Sequence, residues 1–144
     1  MLLSDTKRYT PSATTVLRLI VGVTFLLGGL PRIQNPAGFI GFVTSLGFPI
    51  PGILAWFPII MEPLGGLLLI LGLGTRWVSL YFVVEMFITA VVVKAAHGTP
   101  FIQAAEKTGT GFELDLLLLG GALMLVVLGS GQASIERLVL KREL

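Results

Sequence analysis

The sequence predicts an all-α integral membrane protein: a four-helix bundle with a short amphipathic helix in its first outer loop. Of the 144 residues, 54% are hydrophobic and 12% are charged, whereas about 25% are charged in an average soluble domain. A soluble domain of this length could not hide so much apolar surface, because roughly a third of its unfolded area stays wet. The apolar residues form four continuous runs, each close to the ~20 residues of a membrane-spanning helix. They lack the alternation of a β-barrel.

The four runs lie at about 13–30, 52–73, 77–96 and 113–128, and together they form a single membrane domain over residues 1–144. The first run follows Lys7 and Arg8, as in a signal peptide. It ends in Gly-Gly-Leu-Pro-Arg without a small-x-small cleavage site, so we expect a retained helix. Spanning segments must satisfy their own backbone hydrogen bonds, which favours helices throughout.

The first outer loop contains the signals of a short helix. Asn35 suits the cap, Pro36 the first helical position and Gly47 the end of the helix. Apolar residues recur between them at helical spacing, so this helix should lie on the outer surface or fold over the bundle. The second outer loop, 97–112, is rich in Gly and should be irregular. The tail after Gly131 suits a short interfacial helix.

The distribution of Lys and Arg predicts the orientation of the protein in the membrane. With four spans, both termini lie on one side, together with the turn after the second span. Six basic residues belong to that side: Lys7, Arg8, Arg76, Arg137, Lys141 and Arg142. The opposite side has three: Arg32, Lys94 and Lys107. The positive-inside rule therefore places both termini in the cytoplasm.

Composition also excludes several classes of site. The net charge of +2 does not suggest a nucleic-acid partner. The absence of Cys excludes thiol chemistry and thiolate-bound iron–sulfur clusters within the chain. The single His excludes a bis-histidine haem, and we expect no metal site and no intrinsic cofactor. Neither a nucleophile–base arrangement nor a phosphate loop is present, so the sequence has no self-contained catalytic motif.

Three ionisable residues fall within the apolar runs: Arg18, Glu62 and Glu85. Such residues are expensive in a bilayer and need a partner or a cavity. Counted along the helices, Glu62 and Glu85 reach similar depths and Arg18 lies somewhat shallower, so an Arg18–Glu62 or Arg18–Glu85 pair is feasible. The three could form a ligand or proton site, or a buried structural network. Arg18 could also extend to the inner headgroups.

Three further residues are candidates on the outer face: Arg32, His97 and Glu113. Glu113 and Asp115 open the fourth helix, where the helix dipole favours acids. Glu113 could also reach Arg32 or His97. A loop histidine such as His97 is more often a surface residue than a metal ligand.

The chain resembles the DoxX family in the order and spacing of short motifs across residues 13–137. These motifs are Leu17-Arg18-Leu19-Ile20-Val21-Gly22, Phe25, Gly28-Gly29, Ser45-Leu46-Gly47-Phe48-Pro49, Glu62 with Gly65-Gly66, Leu71-Gly72-Leu73-Gly74-Thr75-Arg76, Gly129-Ser130-Gly131 and Ser134-Ile135-Glu136-Arg137. The sequence departs from the family at Arg32, where lysine is usual, and at Ser130, which replaces a proline. Neither departure threatens the fold.

The resemblance implies a multi-pass protein of the bacterial or archaeal cytoplasmic membrane. Family members include a small subunit of a thiosulfate:quinone oxidoreductase, so our first hypothesis is a membrane subunit of a quinone-linked redox complex. A quinone would bind in the bundle beside Arg18, Glu62 and Glu85. The partners of the protein would be membrane lipid and a protein of the redox complex. The alternatives are a non-catalytic assembly or anchoring subunit and a small transporter, which a homo-oligomer would favour.

Overall fold

The computed structural model describes residues 6–103 and 110–140, and side chains within 8–103 and 110–138. All regular structure in these ranges is helical, as predicted. The six α-helices are α1 (Thr6–Gln34), α2 (Pro36–Ser45), α3 (Pro51–Leu54), α4 (Trp56–Leu71), α5 (Thr75–Phe87) and α6 (Glu113–Leu128). There are also two π-helical segments. Ile88–Ala95 extends α5, and Glu136–Leu140 follows the turn that closes the bundle at residues 129–134.

The predicted spans correspond to observed helices. Within the described residues, three helical stretches are long and apolar enough to cross a membrane: Arg8–Gln34, Pro51–Leu71 and Thr75–Ala95. The fourth, α6, has the predicted limits and 16 residues, which gives a length of about 24 Å at 1.5 Å per residue. The first span is longer than predicted, because α1 continues through Pro31 to Gln34.

The helices pair as α1 with α4 and α5 with α6, and α1 also contacts α6. Glycines bring α1 and α4 together: a Cβ at Gly66 would meet the backbone of Leu26 and lie 2.7 Å from the Gly22 carbonyl oxygen. In the centre, the Phe25 and Phe82 rings stack in parallel with centroids 3.6 Å apart. The seam between α4 and α5 is less densely packed than the α1–α4 and α5–α6 seams.

Helix α2 forms as its sequence predicts. The Asn35 side chain caps it by accepting a hydrogen bond from the Gly38 N–H at 3.0 Å, and the chain turns at Gly47 with φ of +75°. Val43 is buried against Ala55 and other residues at the start of the second span. Helix α2 therefore folds over the bundle.

The bundle has two ends, which we name by their contents. The terminal end contains the start of α1, the α4–α5 turn at Gly72–Gly74 and the closing turn 129–134. The loop end contains α2, α3 and the described part of loop 97–112. The predicted interfacial helix of the tail corresponds to the π-helical segment Glu136–Leu140. Lys141 and Arg142 lie outside the described residues.

Candidate functional site

Two charged side chains meet in the loop-end half of the bundle. Arg32, on the last turn of α1, forms an ion pair with Glu62 of α4. Glu62 is 4% exposed, and the Arg32 guanidinium carbon also lies 4.8 Å from the centroid of the Phe39 ring of α2. Gly29 permits this arrangement, because α4 approaches α1 closely at Glu62 and Pro63. The pair is the charged centre of the candidate site.

An apolar cavity of about 310 Å³ adjoins the Arg32–Glu62 pair. Aromatic residues of α2 and its flanking loop form one wall, and the facing parts of α4 and α5 form the other. Phe57 of α4 and Val84 of α5 line the cavity and are more than half exposed. The cavity is therefore open at the surface of the bundle beside α4 and α5. Its volume is at the lower end of the ~300–1,000 Å³ of small-molecule sites.

Glu85 of α5 and Tyr81, one turn before it, supply further polar groups to the apolar cavity. Glu85 interacts electrostatically with Arg32. Its Oε2 atom is buried and has no hydrogen-bond partner among the described residues. A buried polar atom of this kind costs free energy unless a ligand or water satisfies it. The structure thus brings the predicted residues Glu62 and Glu85 to one cavity and adds Arg32 to them.

A second cavity of about 540 Å³ also borders the pair, and we call it the polar cavity because ten of its eighteen described lining residues are polar or charged. Lys94 and Asp115 form an ion pair across it at 2.7 Å. Lys94 Nζ also donates to the Thr110 hydroxyl at 3.1 Å and to the Gly111 carbonyl at 2.9 Å. Arg32 and Glu62 line both cavities, as do Phe42, Leu46, Thr89 and Val93, so the two cavities adjoin at the pair.

The predicted pairing of Arg18 with Glu62 or Glu85 is wrong. Arg18 is 1% exposed and binds the closing turn at the terminal end, where it donates to the Ser130 carbonyl at 2.8 Å and the Ala133 carbonyl at 2.5 Å. The reason is the direction of helical side chains, which lean toward the helix N-terminus. Arg18 therefore extends toward the start of α1 and away from both carboxylates.

The closing turn bound by Arg18 is part of a buried polar network. Glu136, 1% exposed, accepts a hydrogen bond from the Gly74 N–H and interacts electrostatically with Arg18. The hydroxyl oxygens of Ser130 and Ser134 lie 3.0 Å apart. This network fastens the tail to the α4–α5 turn, so the contacts of Arg18 are structural ones.

The other outer-face candidates stand apart from the apolar cavity. His97 is exposed, its Nδ1 lies 3.2 Å from the Val92 carbonyl oxygen, and it lines only the polar cavity. Glu113 lines neither cavity, and its backbone N–H donates to the Phe101 carbonyl at 3.1 Å. Arg32 forms its ion pair with Glu62 and not with Glu113, which the sequence had offered as a possible partner.

Sequence reasoning missed the central role of Arg32, although a signal was present. Arg32 continues the helical stripe of Arg18, Gly22, Phe25 and Gly29, which indicates a residue that faces the bundle. The Lys94–Asp115 pair was also missed. Its signal was that two opposite charges lie at helix ends joined by one loop. The π-helical segment Ile88–Ala95, which contributes Thr89 to both cavities, had no signal in the sequence.

Comparison with known proteins agrees with the helical membrane architecture. The DoxX family profile matches residues 13–95. A Bacillus subtilis (strain 168) protein named "Putative oxidoreductase CatD" is 32% identical over 128 residues, which cover 89% of this chain and 87% of that protein.

Two Escherichia coli (strain K12) proteins are also similar. "Inner membrane protein YphA" is 27% identical over 88% of this chain and 90% of its own length. "Inner membrane protein YqjF" is 28% identical over 88% of this chain and 92% of its own length. No solved structure matches the chain significantly. The profile match covers more than half of the chain and the relatives match it almost from end to end. The chain therefore belongs to the DoxX family of membrane proteins.

Proposed function

We propose that this protein is the membrane subunit of a quinone-linked redox complex and that it holds a quinone head group in the apolar cavity. The observation that carries the proposal is the Arg32–Glu62 pair at the wall of a cavity that is open at the bundle surface, beside a Glu85 Oε2 atom that has no partner among the described residues. The name of the relative CatD, which includes "oxidoreductase", supports a redox role.

The cavity suits a quinone in both its apolar and its polar parts. Quinones dissolve in the bilayer, and the opening beside α4 and α5 would give lateral access from lipid. Phe39, Phe42 and Phe48 offer aromatic surface to a flat ring. Arg32 can donate an N–H to a carbonyl oxygen, and Glu62 holds the guanidinium in place. The buried Glu85 Oε2, which lacks a partner among the described residues, would gain one.

A bound quinone would accept two electrons and two protons, and the electrons would come from a partner protein. The chain's own part is to bind, orient and handle protons. Glu85 can hold a proton at Oε2 and pass it within hydrogen-bond reach. Arg32 provides positive charge where negative charge develops, which stabilises that charge in a site of low dielectric constant.

We also propose that the protein lies in the cytoplasmic membrane with both termini in the cytoplasm. The distribution of basic residues supports this orientation, and two relatives are named as inner membrane proteins. The loop end, with both cavities, then faces the outer side. A reporter such as alkaline phosphatase, active only outside the cytoplasm, should be active when fused within loop 97–112 and inactive at the C-terminus. The opposite pattern would contradict the orientation.

Quinone content tests the proposed ligand. The protein is purified in mild detergent and its extracted lipids are quantified against protein. We expect stoichiometric quinone in the wild type and in Glu113→Gln, a matched carboxylate-to-amide control outside both cavities. We expect at least a tenfold loss of quinone in Glu62→Gln and Glu85→Gln.

The anchoring alternative gives a different result. Absence of stoichiometric quinone from the wild type, together with unchanged quinone-linked activity in Glu62→Gln membranes, would refute the proposal. A lower yield of the complex in Glu62→Gln, with unchanged turnover of what remains, would favour a non-catalytic assembly subunit. Such a subunit would use the Arg32–Glu62 pair only as a buried structural network.

A further inference from the structure

The polar cavity extends far into the bundle. It begins at loop 97–112 and reaches Thr24 of α1, ten residues before the end of that helix at Gln34, or about 15 Å along its axis. Among the described residues, ten of the eighteen that line it have polar or charged side chains. A surface loop does not require polar groups at this depth. Thr24 and Thr89 donate to backbone carbonyls of their own helices, and the charged groups are paired as Arg32–Glu62 and Lys94–Asp115. Their remaining hydrogen-bonding capacity is what water would satisfy.

The polar groups of this cavity and its size favour water, although apolar atoms make up most of its exposed lining. Empty cavities in proteins are apolar, whereas a polar cavity with room for a water's ~30 Å³ is normally hydrated. At about 540 Å³ this cavity has space for several waters. The Gln103 Oε1 atom is a buried acceptor without a hydrogen-bond partner within the described part of the chain, and such an atom is a ready partner for water.

We infer that the polar cavity is a water-filled route by which protons from solution at the loop end reach Glu62. Among the described residues, six other charged or titratable side chains face this route or its end: Arg32 from α1, Tyr81 and Glu85 from α5, Lys94 and His97 from the π-helical segment and the loop after it, and Asp115 from α6. Glu62 is the carboxylate shared by the two cavities.

Each step on this route moves a proton between oxygen atoms, so only O–H bonds break and form and no electrons move. A proton passes from water to the Glu62 carboxylate and from there to an acceptor in the apolar cavity. The use of these protons rests on the proposed quinone chemistry. The presence of water in the polar cavity does not rest on it.

Single cysteines test the water route, and the chain suits this experiment because it has no native Cys. Thr24→Cys and Gly28→Cys each place a thiol in the polar cavity. Gly28 has open space where a Cβ would lie, so this variant should fold even if Thr24→Cys does not. Val23→Cys and Leu27→Cys are matched controls, since these neighbours are exposed like Gly28 but line neither cavity.

The probe is a charged, membrane-impermeant methanethiosulfonate applied to sealed vesicles of either orientation. From the loop end, we expect it to modify the Thr24→Cys and Gly28→Cys variants at least tenfold faster than the two control variants. Equal rates for the cavity and control variants, or modification of the cavity variants only from the terminal end, would overturn the water route. This measurement requires neither quinone nor an electron donor, so its outcome is independent of the proposed function.

Blocking the route tests its use for protons. A bulky thiol reagent on the Gly28→Cys variant should lower quinone-linked turnover at least tenfold relative to the same variant before modification, with bound quinone unchanged. The same reagent on the Leu27→Cys variant should not change turnover. Unchanged turnover after complete modification of the Gly28→Cys variant would overturn the proton role. Loss of bound quinone on that modification would also overturn it, because the modified cavity would then belong to the quinone site.

Discussion

Replacement of Arg18 by Met should destabilise the protein without loss of the proposed quinone. Arg18 is 1% exposed and donates to the carbonyls of Ser130 and Ala133 at 2.8 and 2.5 Å. Hydrogen bonds to charged groups contribute about 1.5–3 kcal/mol each. Met fills similar space and has a similar helix propensity, so the variant removes the guanidinium with little other change to α1.

The expected loss follows from what the guanidinium holds together. Without it, the buried Glu136 carboxylate loses its electrostatic partner, and removal of one member of a buried charge pair costs about 3–5 kcal/mol. The lost hydrogen bonds belong to the same group, so the two effects overlap. We expect Arg18→Met to lower the free energy of unfolding by about 3–5 kcal/mol.

The assay is unfolding in mixed micelles of mild detergent and dodecyl sulfate, followed by circular dichroism. A double-mutant cycle with Glu136→Gln isolates the coupling energy between Arg18 and Glu136. Arg18→Met should lower the free energy of unfolding by less in the Glu136→Gln background than in the wild type. A loss below about 1 kcal/mol would refute the idea that Arg18 holds the closing turn in place, since two charged hydrogen bonds would contribute more. Loss of quinone at unchanged stability would also refute it, because it would place Arg18 in the ligand site.

Two further predictions use the same unfolding assay. Gly66→Ala should lower the free energy of unfolding by about 1–3 kcal/mol, the usual effect of overpacking, because the new Cβ would lie 2.7 Å from the Gly22 carbonyl oxygen. Gly28→Ala is the control, because there is open space at its Cβ. Equal stability of the two variants would contradict the α1–α4 packing. Asn35→Ala should lower the free energy of unfolding by about 1 kcal/mol, because it removes the hydrogen bond that the cap accepts from the Gly38 N–H. No measurable loss of stability would show that this cap contributes nothing.

The sequence was sufficient to predict the elements whose signals are local. The four spans follow from hydropathy alone, and α2 follows from Asn35, Pro36 and Gly47, each at a position that its own backbone chemistry favours. The start and end of α6 agree with the prediction because Glu113 opens the apolar run and Gly129 closes it. These features do not depend on how the helices pack against each other.

The partners of the buried charges could not be predicted in the same way. The first run was predicted to end at about Leu30, and this placed Arg32 in a loop. In the structure α1 continues to Gln34, and the Arg32 side chain leans back toward the helix N-terminus and so toward Glu62. The same lean takes Arg18 away from the carboxylates. Depth counted along the helix axes ignores this lean and therefore pairs Arg18 with the wrong partners.

Labelling with a photoreactive quinone is the most direct test of a quinone site beside the Arg32–Glu62 pair. An azidoquinone is cross-linked to the protein in native-like bilayers, with excess unlabelled quinone as the competitor, and the modified residues are located by peptide mass spectrometry. We expect labels that the competitor reduces on α2 and on the loop-end parts of α4 and α5, around Phe39, Phe57 and Val84. Labels confined to the terminal end around Arg18, or labels that competitor does not reduce, would contradict a quinone site at the Arg32–Glu62 pair.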